Sequence, residues 1–242
     1  RNGDATVFSK SITESHTLRY GENPHQKGVF FGDPDRSFVR LHGKEISYNN
    51  LLDIESAISL IDEFDDVTCA IIKHNNACGV ASRPALKEAW EDALACDPVS
   101  AYGGVVIVNR EVDEIAAAEM DKVFLEVVMA PSFTPGAVKI LSSKKNRIIL
   151  QRRSAGNGRE SFRSMLGGVL WQERDSSTEQ ASGMRPVTAR QPSEEEYLDM
   201  VFANKIVKHS RSNAIVLAKN RQLCASGIGQ TSRIDALRQA IQ

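Results

Sequence analysis

Short apolar runs of strand length alternate along this chain with longer stretches that are apolar at helical spacing, a rhythm that few folds satisfy. Thr68-Cys-Ala-Ile-Ile-Lys73 has the composition of a strand buried on both faces. Ahead of it, residues 51–64 place Leu51, Ile54, Ile58 and Ile61 on one helical face, with Asn49 and Asn50 available to cap the start. After it, Pro84 opens a stretch over 84–96 that repeats Leu86, Ala89, Trp90, Ala93 and Leu94. The alternation predicts a strand at 104–109, a helix at 113–125, a short apolar segment at 126–130, a helix at 135–143 and a strand at 146–151. An α/β layered fold is the expectation.

The rhythm weakens between 152 and 192, where Arg152-Arg-Ser-Ala-Gly-Asn-Gly-Arg159 is polar and flexible in composition and only Met165 to Trp171 is apolar enough for a strand. It resumes after Pro192. Ser193-Glu-Glu-Glu196 has the pattern of a capping box and opens a helix carrying Tyr197, Met200, Val201, Asn204 and Val207, followed by a strand from Ala214 to Ala218. The chain therefore divides into 1–151, a connecting segment 152–192, and a shorter unit 193–242. Arg1 has no Met before it, and the amphipathic pattern Ile234, Leu237, Ile241 runs to Gln242 without a cap, so a piece of a longer protein is expected.

Charge and cysteine content narrow the function classes. Thirty basic and 31 acidic side chains leave a formal net charge of -1, which offers no global field for nucleic acid. Apolar runs such as 123–130 are broken by charge well short of a membrane span, so a soluble protein is expected. The four cysteines, Cys69, Cys78, Cys96 and Cys224, show no Cys-x-x-Cys pairing and suit reduced thiols in a cytoplasmic compartment.

Three polar clusters interrupt the apolar segments where an α/β fold presents residues to a ligand. Leu18-Arg-Tyr-Gly-Glu-Asn-Pro-His-Gln26 is either an ordered surface loop or a site in which Arg19 forks onto a phosphate beside the flat Tyr20. Lys73-His-Asn-Asn-Ala-Cys-Gly79 follows the buried strand directly. Lys73 and His74 would point to opposite sides of an extended chain, so a turn must begin at once for both to face one ligand, and Gly79 is a candidate for making it. The pair is either a surface lysine with a backbone-satisfied histidine, or the machinery of acyl or formyl transfer to a weak nitrogen nucleophile. In that chemistry His74 takes the amine proton and Lys73 stabilises the oxyanion. The third cluster joins Lys208-His-Ser-Arg-Ser-Asn213 to Gly227-Ile-Gly-Gln-Thr-Ser-Arg233. It is either an anion-binding turn or a capping amide with a solvated arginine.

A zinc deaminase site is rejected, because Asn76 stands where the general-acid glutamate would follow His74 and no Cys-x-x-Cys exists. His16, His25, His42 and His209 lack matching ligand clusters and are read as ordinary surface or core groups.

These clusters, in this order, resemble the transformylase domain of the bifunctional AICAR transformylase/IMP cyclohydrolase family. The similarity also takes in Ser47-Tyr-Asn-Asn-Leu-Leu52, Asp97-Pro-Val-Ser-Ala-Tyr-Gly-Gly104 and Lys144-Lys-Asn146, and so spans nearly the whole chain. The resemblance implies formyl transfer from 10-formyltetrahydrofolate, as co-substrate, to the 5-amino group of AICAR, giving FAICAR in purine biosynthesis. Lys73, His74 and Asn213 would then be catalytic; Arg19, Tyr20, His74, Gly103, Glu126, Asn213 and Arg233 would hold the nucleotide; and Ile234 would lie beside the folate. Glu126 stands where the family also carries Asp, and Ala225 and Ser226 replace the first Gly-Ile of the usual Gly-Ile-Gly-Ala-Gly-Gln. The implied fold is cytidine-deaminase-like: three-layer α/β/α lobes without zinc, the first over 1–151 and the second, from 193, incomplete. A homodimer with sites at the interface is implied too, and this piece alone is then expected to fall short as a catalyst. The rival readings are a non-catalytic nucleotide-binding or assembly fragment of that fold, and a different nucleotide-modifying enzyme built on it.

Overall fold

The computed structural model describes residues 7–153, 158 and 160–242. The chain opens with a hairpin of β1 (Ser15–Leu18) and β2 (Gly28–Phe31), then β3 (Phe38–His42) and α1 (Tyr48–Ile61). Next come β4 (Thr68–Lys73), β5 (Asn76–Ser82), α2 (Leu86–Cys96), β6 (Val105–Val108), α3 (Glu114–Asp121), β7 (Val127–Ala130), α4 (Pro135–Leu141) and β8 (Ile148–Arg152). A separate hairpin, β9 (Glu160–Met165) and β10 (Gly168–Glu173), precedes α5 (Glu194–Lys208), β11 (Ile215–Lys219), β12 (Gln222–Gly227) and α6 (Arg233–Ile241). Eight strands form one mixed sheet in the order β11-β12-β5-β4-β6-β7-β8-β3. Its β6-β7-β8 centre is parallel and its flanks antiparallel. The expected α/β architecture is present, and among the described residues no helix is long and apolar enough to cross a membrane.

The central strands are buried on both faces, which is why their sequence is continuously apolar. On one face Ala70, Ile72, Ile107 and Met129 meet Ile54 and Ile58 of α1 and Phe202 and Ile206 of α5. On the other, Ile71, Val106 and Val128 meet Trp90 of α2, Met120 of α3 and Leu141 of α4. Strands β11 and β12 join the same sheet, through the pairing of Gln222 with Ala81.

Several expectations need correction. The cap of α1 is Ser47, whose hydroxyl accepts from Asn50 N while Asn50 Oδ1 accepts from Ser47 N; Asn49 instead donates to the Glu22 carbonyl. Helix α3 stops at Asp121, four residues before the predicted end, because Leu125 is drawn into the core from a loop. The single strand expected over Met165–Trp171 is a hairpin that reverses at Leu166 and Gly167, both at positive φ (51° and 75°). Strand β12 falls where the apolar pattern predicts no element, because its small and polar residues become a strand only by pairing with β11. The capping box at Ser193 and Glu196 forms as predicted. The part of the flexible-run expectation that falls on residues 154–157 and 159 lies outside the described residues.

Two polar clusters fasten the layers. Arg147, fully buried, gives Nη1 to Asp121 Oδ1 at 2.6 Å and to the Leu141 carbonyl at 3.1 Å. Glu63, just past α1, accepts from Lys208 Nζ (2.8 Å), His209 Nε2 (2.9 Å) and Thr178 Oγ1 (2.9 Å). That carboxylate ties the end of α1 to the end of α5 and to the connecting segment.

Asp121→Ala leaves the Arg147 guanidinium buried without a counter-ion and is expected to cost about 3–5 kcal/mol in urea unfolding; a loss below about 1 kcal/mol would show that the pair carries no such weight. Burial raises the Glu63 carboxyl, but the hydrogen bonds from Lys208, His209 and Thr178 outweigh it and hold the group below the ordinary carboxylate range. The folded chain then binds that proton less readily than the unfolded chain. Its contribution is present above the ordinary carboxylate pKa and drains as pH falls through the lower folded value. Thermal melts of Glu63→Gln against the parent should accordingly show a shallower decline on the acid side.

Candidate active site

The sheet ends β4 at Lys73, and the chain reverses there at once. Lys73 pairs with Asn76, so His74 and Asn75 are the two loop residues of a β4–β5 hairpin, at φ 50° and 64°. This is the tight turn that the Lys73-His74 argument required, and its left-handed backbone matches the twist of the flanking strands. Gly79 plays no part in it. That glycine lies within β5, where a Cβ would strike the carbonyl of Ala93, so its role is the close approach of α2 to the strand.

Lys73 is half-buried and its ammonium donates to the Tyr102 carbonyl at 2.5 Å, which leaves two of its three N–H groups unspent by that bond. Gly103, at φ 71°, lies beside it: a Cβ there would sit 3.4 Å from Lys73 Nζ and 3.4 Å from the Phe124 ring. Phe124 and Tyr102 pack in a tilted arrangement with centroids 5.0 Å apart and are both exposed. His74 is exposed. Lys73 and His74 open onto a cleft of about 620 Å³ whose other walls include Cys78, Asp97, Cys224 and Ser226. Burial pushes the Cys78 thiol up to about 12, which makes it a neutral wall rather than a nucleophile.

The remaining predicted residues divide into groups. Glu126 begins the turn into β7, takes an ion pair from Lys44 at 2.7 Å, and its backbone N–H donates to Gly104 beside Gly103. Asn213 exchanges backbone bonds with Gln230 and gives Nδ2 to the Gln230 carbonyl at 3.1 Å. Gln230 in turn donates to Gln239 Oε1 at 2.9 Å, and Gln239 lines the cleft, so the Asn213 loop is fastened to the cleft's far wall. Arg233 and Ile234 open α6 and are exposed, with Ser232 rather than the candidate amide of Asn213 as its cap. Arg19 lies over the Tyr20 ring at 5.5 Å. Their loop is held by Gly21 N to the Gln26 carbonyl and by Asn49 to the Glu22 carbonyl, which places it at the start of α1. Lys73, His74 and Gly103 are thus brought together with Glu126 close by, whereas the loop of Arg19 and Tyr20 is tied to the start of α1 through the Glu22 carbonyl.

A model for the AICARFT/IMPCHase bienzyme family matches residues 2–242. The chain belongs to that family. Among its relatives, a bifunctional purine biosynthesis protein PurH of Bacteroides thetaiotaomicron is 58% identical over 99% of this chain and 47% of its own length. The PurH of Caldicellulosiruptor bescii is 46% identical over 97% of the chain and 48% of its own length, and that of Acetivibrio thermocellus 44% over 98% and 48%. The chain spans about half the length of the curated relatives it matches. Within this member of the AICARFT/IMPCHase bienzyme family, sequence reasoning passed over Asp53 of α1, whose Oδ1 accepts the Asn75 N–H at 2.7 Å. Its only signal was an acidic residue in the sixth helical position, beyond the first turn where the helix dipole favours one.

Gly103→Ala forces a non-glycine residue to positive φ against Lys73 and Phe124. It is expected to lower stability by about 1–2 kcal/mol in thermal or urea melts. An unchanged melt would mean that the backbone at 103 relaxes freely.

Proposed function

We propose that this chain carries the formyl-transfer chemistry of its family: transfer from 10-formyltetrahydrofolate to the 5-amino group of AICAR, giving FAICAR in purine biosynthesis. The observation that carries the reading is the immediate reversal at the end of β4, which sets an imidazole and an ammonium side by side at the rim of one cleft. The amino nitrogen attacks the formyl carbon and forms the new C–N bond. His74 takes the amine proton, and Lys73 faces the oxygen that becomes negative in the tetrahedral intermediate. The intermediate collapses by breaking the bond from the formyl carbon to the folate nitrogen, which receives the proton from His74. Preorganisation supports this assignment, since the Lys73 ammonium is already fixed by the Tyr102 carbonyl and need not be gathered during reaction.

In the same reading Arg19 and Tyr20 bind the nucleotide with Gly103, Glu126, Asn213 and Arg233, while Ile234 lies against the folate. No zinc takes part. The helices on both faces of the sheet agree with a deaminase-like α/β/α lobe, whose core and sheet also take in α5, β11 and β12. A cytoplasmic homodimer with sites at the subunit interface completes the proposal.

Formyl transfer from 10-formyltetrahydrofolate to AICAR, measured on the 242-residue chain and on the full-length product of its gene, tests the reading. Activity in at least the longer form is expected. Tight nucleotide binding with no turnover in either would instead favour a non-catalytic binding module, and ammonia release a deaminase. In the active form His74→Ala should reduce kcat by about 100-fold or more with little change in nucleotide affinity. Arg19→Ala should chiefly weaken nucleotide binding, by about 1.5–3 kcal/mol. Equal losses of binding in the two variants would contradict these roles.

A further inference from the structure

The two-residue turn that carries His74 is not self-supporting. A histidine and an asparagine both sit in the left-handed region, which costs a non-glycine residue roughly 1–2 kcal/mol, so neighbouring structure has to hold the turn. Its shortest tie to α1 is Asp53, whose Oδ1 accepts the Asn75 backbone N–H at 2.7 Å, the length of a charge-assisted bond, with Ser56 Oγ a longer 3.5 Å from the Asn75 side-chain amide. When the Asn75 side-chain amide is oriented by the acceptors around it, its nitrogen faces Asp53 Oδ1 and the Leu52 carbonyl, 3.1 Å from each. Asp53 is itself anchored, because the next residue, Ile54, is buried in the core beneath the sheet.

The charges around Asp53 belong to the reacting pair. His74 and Lys73 attract its carboxylate, and Glu126, engaged by Lys44 at 2.7 Å, repels it. Burial pushes the Asp53 carboxyl above its ordinary value, while the Asn75 bond and His74 draw it back. A half-buried carboxylate at this point of α1 does nothing for the helix dipole.

We propose that Asp53 is the positioning residue of the Lys73–His74 turn, holding it through the Asn75 N–H and setting a negative charge beside the imidazole that becomes cationic during the reaction. The kinetic consequence rests on the formyl-transfer reading above; the structural one does not. Asp53 takes no proton from the substrate, which remains the work of His74.

Asp53→Asn keeps the shape and an acceptor for Asn75 but removes the charge, whereas Asp53→Ala removes both. In the form that turns over, Asp53→Ala is expected to lower kcat by about 100-fold through misplacement of His74, with the nucleotide KM within about threefold of the parent. Asp53→Asn should lower kcat by about tenfold with KM likewise held. Independently of activity, hydrogen exchange at the Asn75 amide of the 242-residue chain should quicken by about tenfold or more in Asp53→Ala and stay near the parent value in Asp53→Asn. Unchanged Asn75 exchange in Asp53→Ala would overturn the proposal. So would a loss that appears in KM rather than kcat, or a parent-like kcat in both variants. If Asp53→Ala does not fold, the kcat of Asp53→Asn decides. Absence of formyl transfer by the unsubstituted protein would sink the transformylase reading alone, leaving the Asn75 exchange to decide the structural part.

Discussion

The burial of strands β4, β6 and β7 on both faces governs this molecule. Backbone groups in such strands find partners only in neighbouring strands, and side chains on each face need a covering layer, so α1 and α5 lie on one side and α2, α3 and α4 on the other. Polar chemistry is excluded from the middle of the sheet and displaced to strand ends. Lys73 is where β4 first emerges from the core, and the reversal there exposes His74 while its neighbours on the strand stay buried.

That constraint also explains the division of labour among glycines and carboxylates. Gly79 lets the Ala93 carbonyl close on β5, bringing α2 against the sheet and with it Asp97 to the cleft. Gly103 leaves room for the Lys73 ammonium and for the Phe124 ring. Asp121, Glu63 and Asp53 each meet a cation or an N–H on another element, so that Arg147, the end of α5 and the His74 turn are fixed by charge where apolar packing gives out.

Membership of the AICARFT/IMPCHase bienzyme family, whose relatives are named as bifunctional purine biosynthesis proteins, gives these features a context. The proposed formyl transfer asks for a base and an oxyanion donor held near each other without being rebuilt at each turnover. A two-residue hairpin loop tied to Asp53, with a lysine fixed by the Tyr102 carbonyl, would supply such a pair from backbone geometry and two hydrogen bonds.

Local pattern alone determined much of this protein. The apolar spacing of 51–64 and 84–96 marked α1 and α2, the unbroken run at 68–73 marked β4, and Ser193 with Glu196 marked the start of α5. The Lys73-His74 pair and the need for a turn beside it could be read the same way, because adjacent residues on a strand must point apart. Tertiary structure decided the rest. The strands β5 and β12 read as loops, since their small and polar residues carry no strand periodicity of their own and are held extended only by pairing with β4 and β11 across two-residue turns. The hairpin at Leu166 and Gly167 was hidden within an apolar run for a similar reason, as a reversal depends on φ rather than on hydrophobicity. Asp53 was invisible because its meaning lies in Asn75, 22 residues away along the chain and 2.7 Å away in space.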